Sequence, residues 1–164
     1  MAAPDLSRRA LLRGHHGSVV PPGRPPWALA EAGFSEACTR CGDCLAACPE
    51  GILVAGDGGF PEVDFRRGAC TFCGDCVKAC ASGALSAAIS PAWALRARVD
   101  HTCLARRGVH CQSCRDACEP EAIRFAYLGS VPVPEVDLDA CSGCGACVAA
   151  CPADAIAVLH AETA

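Results

Sequence analysis

The sequence predicts an α+β fold made of two small modules in tandem, preceded by an extended N-terminal tail. The first observation behind this is a cysteine pattern, C-x2-C-x2-C-x3-C-P, which runs from Cys38 to Pro49. The second is that the pattern recurs, so that four quartets use all sixteen cysteines of the 164-residue chain. The third is a short apolar run after each quartet, as expected where a strand follows each cysteine-bearing loop.

Three of the quartets share one spacing, and the remaining one is stretched between its first and second thiols. The quartets are Cys38, Cys41, Cys44 and Cys48; Cys70, Cys73, Cys76 and Cys80; Cys103, Cys111, Cys114 and Cys118; and Cys141, Cys144, Cys147 and Cys151. In the stretched quartet, seven residues separate Cys103 from Cys111, against two at the same place in the others. The second quartet has Ala81 where the first and last have proline.

This spacing is typical of bacterial ferredoxins that bind pairs of [4Fe-4S] clusters. Three thiolates two residues apart on a loop of small residues can bind three irons of one cluster, while the fourth lies a helical turn away and completes the cluster of the paired motif. We therefore predict that all sixteen cysteines are ligands. The first, second and fourth quartets predict three clusters, and the third predicts a fourth.

Other uses of cysteine fit the pattern less well. A secreted disulfide scaffold would need an export signal, and structural zinc prefers isolated C-x2-C pairs separated by a longer span. Reduced thiols fit a reducing compartment. Large side chains are few, with one Met, two Trp, one Tyr and five Phe. We therefore expect the clusters to hold the fold together, and the cluster-free chain to be largely unfolded.

Residues 1–33 are predicted to form the extended tail. The proline-rich segment 21–26 cannot be helical. Ser7-Arg8-Arg9 resembles the start of a twin-arginine export signal, but the apolar region of roughly seven to fifteen residues that such a signal needs is missing after Arg13. The segment is interpreted either as a plain tail or as a docking element. Trp27 is expected either to pack back on the modules or to meet a partner.

The modules are predicted over residues 34–90, with the first two quartets, and 91–164, with the last two. Short strands are predicted at 52–54, 63–65, 122–125, 136–138 and 155–158, and two such units form a ferredoxin-like βαββαβ module. Linkers of 21, 22 and 22 residues separate the quartets, so length does not decide which of them pair. Tandem pairing is the simpler path, and nested pairing of the first quartet with the fourth stays open.

Tandem pairing would create four ligand sets. They are Cys38, Cys41, Cys44 and Cys80; Cys70, Cys73, Cys76 and Cys48; Cys103, Cys111, Cys114 and Cys151; and Cys141, Cys144, Cys147 and Cys118.

Charge and motifs exclude several classes of function. The net charge is −4, and residues 1–33 contribute +2 to it, so the cluster region is acidic and nucleic acid is not expected as a partner. No apolar run approaches the length of a membrane span. No phosphate-binding glycine loop, dinucleotide fingerprint or nucleophile elbow is present, so we expect no enzyme. An electron carrier and an assembly or maturation partner remain as two classes of function.

Three stretches together resemble one family. They are Ser7-Arg8-Arg9, Arg24-Pro25-Pro26-Trp27, and the divergent third quartet running from Cys103 through His110-Cys111-Gln112-Ser113-Cys114-Arg115-Asp116-Ala117-Cys118-Glu119-Pro120. The chain resembles, over nearly its whole length, the NapF ferredoxin-type proteins that accompany periplasmic nitrate reductase.

The resemblance implies a cytoplasmic, non-catalytic accessory protein with the sixteen cysteines as ligands. Its implied partner is the precursor of the molybdenum-containing catalytic subunit, which it would help to mature before twin-arginine export. An electron donor is a second possible partner. The third quartet departs from ordinary ferredoxin spacing, so the resemblance supports its cluster less directly.

Overall fold

The structure is a computed structural model that describes residues 23–127 and 129–160. Five short α-helices and six strands lie in these ranges. The helices are α1 (Glu31–Ala37), α2 (Asp43–Ala46), α3 (Asp75–Lys78), α4 (Ser113–Asp116) and α5 (Ala146–Ala149). The strands are β1 (Leu53–Ala55), β2 (Pro61–Val63), β3 (Leu95–Val99), β4 (Ile123–Ala126), β5 (Val133–Val136) and β6 (Ile156–His160). The twin-arginine-like segment lies outside the described residues.

Four of the helices are single turns that begin within a cysteine quartet. In α2 the turn starts after Gly42, whose φ of 85° is left-handed, and Gly145 with φ 84° has the same place before α5. Glycine adopts this conformation without the steric cost that a side chain would bring. The start of the helix at this point places the third cysteine of the quartet in the first helical turn, facing inward. The fourth cysteine then lies just beyond the helix end.

The strands pair in the same way around both pairs of quartets. Between the quartets of each pair lies an antiparallel hairpin, β1 with β2 and β4 with β5. The outer strands β3 and β6 pair antiparallel over five residue pairs, from Leu95 opposite His160 to Val99 opposite Ile156. Ahead of the first quartet, Ala28 forms an isolated antiparallel bridge to Leu85, which follows the second quartet. An inner hairpin with paired outer segments is the arrangement expected of a βαββαβ module.

Two separate buried cores hold the cysteines. One consists of Phe34, Ile52, Leu53, Ala84 and Leu85 together with cysteines of the first and second quartets. The other consists of Ala97, Val99, Ile123 and Ile156 together with cysteines of the third and fourth. Each core thus contains cysteines of two consecutive quartets. We call residues 23–90 the first half and the described residues from 91 onward the second half.

The described part of the expected tail packs against the first core. The N–H of Leu29 donates to the carbonyl of Ala84 at 3.0 Å, and the N–H of Trp27 donates to that of Ala92 at 2.6 Å. The Trp27 ring lies edge-on to Phe72, with 6.3 Å between ring centres. Helix α1 begins at residue 31, inside the range predicted to be extended. Residues 23–33 therefore differ from the expectation, and Trp27 packs back on the fold.

The two halves meet through two aromatic contacts of Trp93 and through backbone hydrogen bonds from the N–H of Trp27 to the carbonyl of Ala92 and from the N–H of Cys70 to the carbonyl of Cys144. Trp93 stands edge-on to Phe65 at 5.7 Å and to Phe72 at 5.5 Å between ring centres. Its indole N–H donates to the carbonyl of Ser142 at 3.0 Å. Along the described chain, no helix has the length and apolar character needed to cross a membrane.

Candidate metal centres

The third cysteine of every quartet is buried, and its partners lie nearer the surface. Cys44, Cys76, Cys114 and Cys147 are 7–8% exposed. The second cysteines of the first two quartets, Cys41 and Cys73, are exposed, and the other ten are half-buried. Each quartet therefore presents sulfur from the core out to the protein surface, as a ligand loop around a cluster would.

The first site combines three cysteines of the first quartet with one cysteine of the second. Burial raises the pKa of the Cys44 thiol to about 11. Neighbouring sulfurs add to this rise, and the largest such contribution comes from Cys80 of the second quartet, followed by Cys38 and Cys41. The fold therefore brings the fourth cysteine of the second quartet to the first three cysteines of the first quartet.

The second site is the reciprocal arrangement. Burial raises the pKa of the Cys76 thiol to about 11, with further contributions from Cys70, Cys73 and Cys48. The same four cysteines line a recess that is open to solvent. Apart from these sulfurs, its walls include the apolar side chains of Ile52 and Leu53.

The fourth site repeats this geometry in the second half. Burial raises the pKa of the Cys147 thiol to about 12, and Cys144, Cys141 and Cys118 add to the rise. These four cysteines line a second recess that is open to solvent, with Ile123 among the apolar residues of its wall.

The third site forms despite the insertion in its quartet. Burial raises the pKa of the Cys114 thiol to about 11, with contributions from the nearby Cys103 and Cys111. The inserted residues fold into a compact turn, in which the N–H of Arg107 donates to the carbonyl of Cys103 at 3.1 Å. Ala105, within this turn, is only 2% exposed. The insertion therefore closes on itself and leaves Cys103 beside its quartet, while Cys151 packs against the same core.

Several sulfurs receive hydrogen bonds from the chain. Backbone N–H groups of Phe72, Ala97 and Ala155 donate to the sulfurs of Cys70, Cys141 and Cys151 at 3.4, 3.5 and 3.3 Å. Such donors stabilise negative charge on sulfur and tune the potential of a bound cluster.

Serine hydroxyls also lie close to two of the thiols. Ser82 lies 3.5 Å from the sulfur of Cys80, and Ser113 lies 3.8 Å from that of Cys111. Although burial acts to raise it, the pKa of the Cys80 thiol is lowered overall, because the Ser82 hydroxyl and nearby backbone N–H groups stabilise the thiolate. Sequence reasoning did not predict either of these hydroxyl contacts, and the C-x-S spacing that the two serines share was the available signal.

The residues present fit iron–sulfur clusters. The second and fourth recesses each combine four soft sulfur donors with apolar walls, and such donors are what cluster irons require. In the described ranges, no three side chains of His, Cys, Asp or Glu lie close enough together to hold a single metal ion. His101 and His110, which flank ligands of the third quartet, accordingly belong to no such group.

The fold and the sites define an iron–sulfur protein of the 4Fe-4S ferredoxin type. The 4Fe-4S dicluster domain family matches the chain twice, at residues 37–84 and 108–155. Each match spans two consecutive quartets, apart from Cys103.

Curated relatives identify the particular family. The chain is 41% identical over 161 residues to the ferredoxin-type protein NapF of Escherichia coli (strain K12), covering 96% of this chain and 98% of that protein. It is 43% identical to NapF of Haemophilus influenzae, covering 95% of both. The methylamine utilization ferredoxin-type protein MauM of Methylobacillus flagellatus is 35% identical, over 87% of this chain and 69% of MauM. The chain belongs to the NapF ferredoxin-type family, and the resemblance seen in the sequence is confirmed. No solved structure matches it significantly.

Proposed function

We propose that this chain is a non-catalytic accessory protein that binds four [4Fe-4S] clusters and assists the maturation of a nitrate reductase catalytic subunit in the cytoplasm, before that subunit is exported. The observation that carries the proposal is the gathering of cysteines from consecutive quartets in two buried cores. The four sites comprise Cys38, Cys41, Cys44 and Cys80; Cys70, Cys73, Cys76 and Cys48; Cys103, Cys111, Cys114 and Cys151; and Cys141, Cys144, Cys147 and Cys118.

When bound, such clusters accept and release single electrons at potentials set by their surroundings. The chain's own part is to bind and insulate them. Buried third cysteines hold each site to the core, apolar walls limit water, and the N–H groups of Phe72, Ala97 and Ala155 stabilise thiolate charge. Exposed Cys41 and Cys73 leave the first and second sites open toward the surface, where a partner protein can approach.

Family membership supports the choice of partner. NapF proteins accompany periplasmic nitrate reductase, whose molybdenum-containing subunit is exported through the twin-arginine route, and the partner we propose is its cytoplasmic precursor. A second candidate function is that of a ferredoxin relaying electrons between a quinol-linked donor and a reductase. The direct hydrogen bond between Cys70 and Cys144, at 2.8 Å, favours this candidate because it brings ligands of the two halves together.

Anaerobic affinity capture from cells that make the nitrate reductase system separates the two functions. Maturation predicts that the signal-bearing precursor of the catalytic subunit co-purifies from the cytoplasm. A membrane quinol oxidase, or the mature exported enzyme, would instead support electron relay. Capture of none of these proteins would contradict both.

Two variants refine the capture experiment. Removing residues 1–20 tests whether the N-terminal segment docks the partner, and unchanged capture would rule that role out. The exchange Arg66→Lys serves as a control, since this side chain is 79% exposed and lies away from the N-terminal segment in sequence.

A further inference from the structure

The two halves contact each other beside the second site, in the first half, and the fourth site, in the second half. The N–H of Cys70 donates to the carbonyl of Cys144 at 2.8 Å, and these cysteines belong to the second and fourth sites. Thus a single hydrogen bond links a ligand residue of one half directly to a ligand residue of the other. Within each half, the shared core already joins the first site to the second and the third to the fourth.

We propose that electrons cross between the halves at this contact, so that the sites are connected in the order first, second, fourth, third. We also propose that Gly145 and Phe65 are positioning residues that hold the contact closed. The proposal rests on the proposed binding of clusters at these sites. It deepens the second candidate function, electron relay, by making the first and third sites the two ends, where an electron donor and an electron acceptor would dock.

Gly145 is assigned as a positioning residue because of the way it packs against the first half. This residue lies in the ligand loop between Cys144 and Cys147, and a Cβ built on it would overlap ring atoms of Phe65 in the other half. Phe65 is 9% exposed, so its ring has little room to move aside. Any side chain at 145 would therefore push the fourth ligand loop away from the first half and lengthen the Cys70–Cys144 contact.

Trp93, near the start of the second half, supports the same contact. Its ring stands edge-on to both Phe65 and Phe72, and its N–H is bonded to the carbonyl of Ser142, which precedes Cys144 by two residues. Phe72 lies between Cys70 and Cys73 in the second ligand loop. The indole therefore contacts both ligand loops that meet at the Cys70–Cys144 contact.

The proposed step is a transfer of one electron between sites. An electron leaves a reduced site and enters an oxidised one, while no bond breaks and no proton moves. A low-potential one-electron donor supplies it, and dithionite takes this role in the test.

The test compares Gly145→Ala with Gly42→Ala in the cluster-loaded full chain. Gly42 has the same position in the first ligand loop and a φ of +85°, against +84° at Gly145, but a Cβ there would meet nothing within 4 Å. The two exchanges therefore impose similar backbone strain, and only one of them disturbs the contact between the halves. Iron and sulfide are counted first, and pulsed EPR of dithionite-reduced protein then measures the separations between sites.

We expect three short separations in the wild type and in Gly42→Ala, and loss of the one between the halves in Gly145→Ala. A wild type without a short separation between the halves would overturn the route. Equal loss in both variants, or no loss in Gly145→Ala, would overturn the positioning role.

Should Gly145→Ala fail to fold, the wild-type measurement still decides the route. Trp93→Phe removes the N–H bond to Ser142 and part of the ring that contacts Phe65 and Phe72, so it then tests the contact between the halves; an unchanged separation in this variant would overturn the supporting role of Trp93. A wild-type chain without iron and sulfide would refute the proposed cluster function itself, which is a distinct result.

Discussion

The guanidinium of Arg24 lies 5.0 Å from the centre of the Phe34 ring, the most deeply buried aromatic side chain of the first core. It also lies 5.3 Å from the centre of the Phe60 ring. Two hydrogen bonds, at 2.7 and 3.0 Å, join it to the carboxylate of Glu31 at the start of α1. One arginine thus fastens the segment before the first quartet to the core.

The exchange Arg24→Lys is therefore expected to destabilise the protein. Lysine cannot reproduce the two-point bond to Glu31 or lie flat against both rings, so we expect a loss of about 1–3 kcal/mol in the free energy of unfolding. Anaerobic denaturant titration of the loaded protein measures it. Arg66→Lys is the control, because that side chain is largely exposed and donates to Asp64 at the surface. Equal effects of the two exchanges would contradict the role of Arg24.

The hydroxyl of Ser82 is expected to set the pH at which the first site loads. Metal binding needs thiolates, so protons compete with iron and loading weakens as the pH falls. The pKa of the Cys80 thiol is lowered, with Ser82 the largest of the groups that oppose the effect of burial. In Ser82→Ala this pKa should rise, and loading from iron and sulfide should require a higher pH than in the wild type.

Absorbance and iron content across a pH series give the readout for this prediction. Ser86→Ala is the matched control, since the Ser86 hydroxyl accepts from the N–H of Ala88. The solution chemistry of iron and sulfide changes with pH in the same way for every variant. Only a shift of one variant's loading curve relative to the wild-type curve therefore reports on the thiol. Superimposable curves for Ser82→Ala and the wild type would show that the hydroxyl does not stabilise the thiolate.

Cys103 is expected to be a true ligand despite the insertion after it. The compact turn from Cys103 to Arg107 keeps this cysteine beside Cys114, so Cys103→Ala should remove one cluster, or about four irons per chain. Cys38→Ala, in a quartet of ordinary spacing, provides the reference loss. An iron content unchanged by Cys103→Ala alone would mean that the third quartet holds no cluster through this residue.

The ligand loops could be predicted from sequence because their geometry is local. The spacing from Cys38 to Cys48 fixes one turn around a cluster, and the same reasoning holds at each quartet. Which quartets share a core depends on long-range contacts such as the bridge between Ala28 and Leu85, and linkers of nearly equal length carry no information about them.

Other features were missed for similar physical reasons. Strand β3 has buried Leu95, Ala97 and Val99 alternating with two arginines, but a run of five residues is a weak signal without its partner β6. The contact between Phe65 and Gly145 involves residues far apart in sequence, so no local sequence pattern predicts it. Trp27 could have packed inward or outward, and only the position of Phe72 decides between them.

Removal of the clusters is expected to unfold the chain. Among the described residues, the largest side chains that are essentially fully buried are Phe34, Ile52, Pro25 and Pro134, a small set for two cores. Four cysteines are among the buried residues, and without a cluster the sulfurs that line the two recesses would lack the irons they bind. Cores this small rarely supply enough apolar burial to offset the chain entropy of folding.

The measurement is far-UV and near-UV circular dichroism before and after anaerobic treatment with an iron chelator. We expect loss of near-UV signal and of cooperative thermal unfolding as the iron leaves, and recovery of both on reloading with iron and sulfide. A chelator already saturated with iron is the control, because it removes no iron but has the same other effects on the protein. A cluster-free chain that still unfolds cooperatively would show that Phe34, Ile52 and their neighbours hold the fold by themselves, and that the clusters serve electron chemistry alone.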